Sequence, residues 1–229
     1  MDATGSGIAF SLLALTVVLA ALSSRGLVRF VRGHVRTQLA WGTGLGLAAV
    51  ATAVELVVYL GVVDVPLLQA YVFLSAAIVG ALSLGCTQII RSRVLRAGYT
   101  VYTLATCALV GTLSFTTPLP AAMVSGGVIT GNPPLTLIVL STFVTGPATV
   151  VLLAAVVLSL RQSWQWRTVM MGIGACVLAA GGALYIAAFP AALYYAEFLG
   201  VILIFLGLVS LPHLVSVPVG ARKEIRNQV

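Results

Sequence analysis

Charge in this chain is confined to the gaps between long apolar runs, and that single feature restricts it to a membrane fold. Apolar runs cover residues 5–24, 39–61, 66–90, 98–117, 135–160, 168–189 and 192–212, and only Glu55 and Glu197 place a charge inside any of them. Each run offers about the 20 apolar residues that a helix needs to cross the hydrocarbon core of a bilayer. The runs show no alternation of period two, so they read as helices and not as the strands of a barrel. Only 7% of the 229 residues are charged, against roughly a quarter in an ordinary soluble domain. Too few charges remain to cover a water-exposed surface. The expected fold class is therefore all-α, a polytopic membrane protein whose residues 1–229 form one bundle of seven transmembrane helices.

The basic residues orient this bundle. Arg25, Arg29, Arg32 and Arg36 lie between the first two runs, and Arg91, Arg93 and Arg96 between the third and fourth. Arg161 and Arg167 separate the fifth and sixth, and Arg222, Lys223 and Arg226 follow the last. The intervening connections contain no Lys or Arg, only Asp2 and Asp64. Loops rich in Lys and Arg stay in the cytoplasm, so the N-terminus is expected outside, the C-terminus in the cytoplasm and the protein in the cell membrane as a multi-pass chain. The net charge of +7 is then a signal of topology and does not point to nucleic acid. No basic stretch precedes the first run and Arg25 follows it, so that run is expected to be a retained helix inserted N-end out.

Two connections carry further expectations. Arg25, Arg29, Arg32 and Arg36 recur at i, i+4, i+7 and i+11, one stripe of a helix. The simpler reading is an interfacial helix or helix extension that meets anionic headgroups, and the alternative is a docking site for a cytoplasmic protein partner. Trp41, Trp164 and Trp166 near the same boundary fit an aromatic belt. On the opposite side, residues 116–134 hold Pro118, Pro120, Pro133 and Pro134 together with Gly126, Gly127 and Gly131. That composition rules out a spanning helix. The apolar centre, Ala121, Ala122, Met123 and Val124, predicts a lid or short hairpin lying against the mouth of the bundle. The third run, uncharged from Val65 to Ile90, would make a helix of about 39 Å, so it is expected to tilt or protrude.

Most catalytic and cofactor chemistries are disfavoured. The only lysine, Lys223, is in the tail, so a retinal Schiff base has no attachment point in a span. His34 and His213 both sit at the basic boundary and offer no haem-binding pair across the bundle. Cys86, Cys107 and Cys176 are far apart inside apolar runs and read as packing residues. Gly42, Gly44 and Gly46 lie within an apolar run and do not form a nucleotide loop; the small residues Gly42 and Gly46, or Ala76 and Gly80, suit close helix packing. No nucleophile and base pair, metal cluster or phosphate loop emerges, so neither enzyme activity, a catalytic or metal site nor a cofactor is expected.

The residues that invite a function are Glu55 and Glu197. A charge at the membrane centre costs on the order of 3 kcal/mol on insertion scales, so a carboxyl group within a span should face the bundle interior. Counted along their helices, both lie roughly 8 to 9 Å below the outer boundary. Tyr59, Tyr71, Tyr185, Tyr194 and Tyr195, with Gln69, fall at similar depth. The expectation is an acidic, tyrosine-lined pocket in the outer half of the bundle, with the two carboxyls side by side. With no basic residue on that side, the natural counter-charge is a proton, a cation or a small cationic ligand. This points first to a cation- or proton-linked transporter or channel-like protein. The alternatives are a seven-helix sensor or receptor-like protein that signals through the basic cytoplasmic loops, and a membrane assembly subunit without a ligand. Carboxyls held only by tyrosine hydroxyls, fixing helix packing, are the structural counterpart of the site.

Overall fold

The computed structural model describes residues 3–34, 36–87, 90, 92–120, 123–125, 128–129 and 133–162, with a few positions between 169 and 203. Within these, the chain forms helices α1 (Ala3–Gly33), α2 (Arg36–Tyr59), α3 (Val65–Cys86), α4 (Arg93–Thr116) and α5 (Leu135–Gln162). A two-stranded hairpin, β1 (Val124–Ser125) and β2 (Val128–Ile129), joins α4 to α5. Among the described residues, 5 helices are long and apolar enough to cross a membrane. The chain is a multi-pass membrane protein. Most of the expected sixth and seventh spans, and Trp164, Trp166 and Cys176, lie outside the described residues.

Helix ends are set by local chemistry, and they correct the expected boundaries in three places. Helix α1 does not stop at residue 24; it runs on through Arg25, Arg29 and Arg32 to Gly33 and ends where His34 adopts a left-handed φ of 51°. The expected arginine stripe is therefore divided, because Arg36 starts the next helix beyond that reversal. Helix α2 ends in a Schellman turn: Gly61, at φ 97°, donates to the Val58 carbonyl and Val62 to that of Val57. A positive φ of this kind favours glycine. Helix α3 starts after Asp64, with Pro66 in its first turn, and ends at Cys86, four residues short of Ile90. Its 22 residues make about 33 Å, close to the ~30 Å hydrocarbon core, so no protruding helix is needed. Helix α4 reaches back to Arg93 because Ser92 caps it, its side chain accepting from the Leu95 amide.

Because lipid is as apolar as leucine, helices in a membrane associate through close fit and shared hydrogen bonds. Helix α1 packs on α2 and α2 on α3, while α3 also touches both α4 and α5. Small residues set these approaches. A Cβ on Gly26 would stand 3.0 Å from the Gly42 Cα, and one on Gly44 would stand 2.7 Å from the Leu82 side chain. Gly80 gives the α3–α4 contact the same closeness, 3.1 Å from Cys107 Sγ. The expected packing role of Gly42 and Gly80 is thus seen directly, and Gly44 adds to it.

Polar contacts stitch the same seams. Thr16 and Thr52 hydroxyls pair at 2.9 Å between α1 and α2, and Ser23 donates to the Gly42 carbonyl at 2.8 Å. Ser83 and Tyr99 pair at 2.7 Å between α3 and α4. Helix α5 contains Pro147, which has no N–H for the carbonyl four residues back, that of Phe143. The Tyr102 hydroxyl of α4 donates to that carbonyl at 2.7 Å, so the group freed by the proline is satisfied by a neighbouring helix.

The proline-rich connection folds as the short hairpin its composition suggests. Val124 pairs with Ile129 and Ser125 with Val128 in antiparallel register. Strand β2 lies against α2. Leu119, Met123 and Ile129 are buried together with Val54 and Val58 of α2, Leu68 and Val72 of α3, and Leu137 of α5. The Gln69 side chain ties the root of the hairpin to α3 by donating to the Thr117 carbonyl at 3.0 Å.

Candidate functional site

Helix α2 carries its one carboxyl about one turn before its end. Glu55 lies on the face that turns from α1 toward α3: Thr52, three residues earlier, pairs with Thr16 of α1, whereas Val54 and Val58 join the core shared with α3 and the hairpin. The side chain is 3% exposed. The Tyr71 hydroxyl of α3 hydrogen-bonds to its carboxyl. Its Oε2 is buried and has no partner among the described residues. A buried polar atom left without a partner in an apolar span is costly.

Sequence reasoning identified Glu55 and Tyr71, and the structure brings those two together. Tyr59 follows Glu55 by one turn on α2 and is partly buried. Gln69 does not join them; its amide is committed to the Thr117 and Phe115 carbonyls. Glu197, Tyr185, Tyr194 and Tyr195 lie outside the described residues. The expected pairing of Glu55 with Glu197 rests on those positions.

One neighbour of the site went unnoticed in the sequence, and another was expected there only as part of a lid. Thr52 lies one turn from Glu55 on the same face, and its hydroxyl is shared among Thr16 Oγ1 and the Ala48 and Ala49 carbonyls. The i, i+3 spacing from the glutamate was the available signal. The segment expected to lie against the mouth supplies the second: Met123, with Ile129, each 2% exposed, joins the core that holds Val58, the residue one turn beyond Glu55. Among the described residues, no group of three His, Cys, Asp or Glu side chains could hold a metal ion. Comparison of the chain with protein families, curated proteins and solved structures finds no significant match.

Proposed function

We propose that this chain is a cation- or proton-linked transporter or channel-like protein of the cell membrane. In this reading it has seven transmembrane helices, an external N-terminus and a cytoplasmic C-terminus, and works without catalysis. Glu55 and Glu197 form its acidic site, with Tyr59, Tyr71, Tyr185, Tyr194 and Tyr195 around them. One observation carries the reading: a carboxyl within a membrane span is buried and only partly satisfied, one oxygen lacking a partner among the described residues. Exchange of a proton or cation at that oxygen gives the group a purpose that packing alone does not require. Arg36 is no competitor, since it begins α2 and is 19 residues from Glu55, about 28 Å along the axis.

The experiment is reconstitution into liposomes, with proton and monovalent cation flux followed by trapped indicators. Glu55→Gln and Glu197→Gln should each leave a folded, monodisperse protein, because the amide resembles a protonated acid, while abolishing flux. Unchanged flux in both variants would refute the transport reading.

A second reading, a sensor that binds a small cationic ligand from outside and signals through its basic cytoplasmic loops, is favoured by the glycine contacts. Gly26 against Gly42, Gly44 against Leu82 and Gly85 against Trp41 leave no room between α1, α2 and α3 at their arginine-bearing ends. Saturable binding of tetramethylammonium that is lost in Glu55→Gln, with no flux in the parent protein, would select it.

A further inference from the structure

Helix α1 has one face that the rest of the described protein leaves open. Phe10, Leu13, Val17, Val28 and Val31 are 73%, 51%, 60%, 48% and 69% exposed. Their spacing, with exposed Ala20 and Ser24 between them, keeps to steps of three and four residues along the helix, so they form one continuous stripe. From Phe10 to Val31 the stripe extends about 32 Å, enough to run from within the hydrocarbon core into the headgroup layer. Arg25, Arg29 and Arg32 each follow a stripe residue by one position, and all three are exposed. Their row therefore borders the lipid-facing stripe over its last two turns. The guanidiniums belong where acyl chains give way to headgroups, with aliphatic stems lying along the helix.

A charge at that depth requires a counter-charge. The described carboxyls, Glu55 and Asp64, are at the opposite end of the bundle, so no described side chain can provide it. Among the described residues no anion stands at that level, and the lipid phosphate is an anion there that arginine binds in bidentate fashion. We propose that Arg25, Arg29 and Arg32 form a binding row for anionic phospholipid headgroups. The apolar stripe beside them seats the acyl chains of the same lipids, and this argues for a membrane lipid over a cytoplasmic protein as the occupant.

The test is native mass spectrometry of the purified full chain in micelles containing equal amounts of phosphatidylglycerol and phosphatidylcholine. The parent protein should retain phosphatidylglycerol preferentially. The triple variant R25Q/R29Q/R32Q should lose that preference by about tenfold or more, given the contribution of each basic residue near an anionic surface. R25K/R29K/R32K should keep most of it, and the single variant Arg29→Gln, which disturbs insertion least, should show a partial loss. Equal retention of the two lipids by the parent protein would overturn the proposal and leave the row to a protein partner. So would full preference in the triple glutamine variant. Displacement of bound lipid by inorganic phosphate would also overturn it, by showing a plain anion site with no need of the acyl chains. Flux is not the readout, so the result is independent of the role of Glu55.

Discussion

The two ends of the helix bundle are built on opposite plans. At the arginine end, glycines bring backbones together: Gly26 meets Gly42, Gly44 meets Leu82 and Gly85 meets the Trp41 ring. At the Asp64 end the seam is filled by the side chains of Val54, Val58 and Leu68, and a hairpin from a distant part of the chain adds Met123 and Ile129 to them. Glu55 is at the second end. The difference teaches where a polar group can be tolerated in a span. A seam closed by backbone contact has no space for a carboxyl, whereas a seam filled by side chains can exchange one of them for a glutamate and offer it a partner such as Tyr71.

The contrast can be broken most severely at the closed end. Gly42→Leu places a branched side chain where even a Cβ would be 3.1 Å from the Leu27 backbone nitrogen. Separation of α1 from α2 should cost about 3 kcal/mol or more, read as loss of monodisperse protein or a large fall in thermal stability. Gly7→Leu, with nothing within 4 Å of the added Cβ, should be nearly silent. If both behave alike, glycine contact is not what closes that end.

At the covered end the expected effect is smaller. Met123→Ala removes a side chain that is 2% exposed and should cost about 2 kcal/mol. It should also speed reaction of a cysteine introduced at Val58 with a water-soluble thiol reagent. An unchanged rate would show that the hairpin does not shield this level. The smallest effect is expected midway, where neither end's packing decides. Tyr102→Phe leaves the Phe143 carbonyl, which Pro147 cannot bond, without its donor, at about 1 kcal/mol in thermal unfolding. Adding Pro147→Ala, which returns an N–H to the helix, should recover part of the loss.

Much of this architecture is legible in the residue order because a bilayer removes most alternatives. Apolar length alone defines α2 and α5 to within a few residues, since every backbone group in lipid must be satisfied within its own helix. The prolines and glycines of residues 116–134 announce a break, and the apolar Met123 and Val124 a segment held against the protein. The errors come where an apolar run says nothing of its end. His34 stops α1 nine residues after its apolar run, and the capped turn at Thr87 stops α3 before its run is exhausted.

Glu55 shows the same division. Its rarity in a span marked it out, and its depth suggested tyrosine partners, but a depth count places every tyrosine near that level equally. Only the packing of α2 on α3 brought Tyr71 to it. Only the return of the hairpin put Met123 and Ile129 into the core with Val58, one turn from the glutamate. The sequence determined that this chain crosses a membrane repeatedly and keeps its charges at the ends, because transfer of unpaired charge and backbone into hydrocarbon is prohibitive for any packing of the helices. Which faces meet was decided by the tertiary structure, because in lipid that choice depends on small differences in fit and on single hydrogen bonds, and these exist only once the helices are side by side.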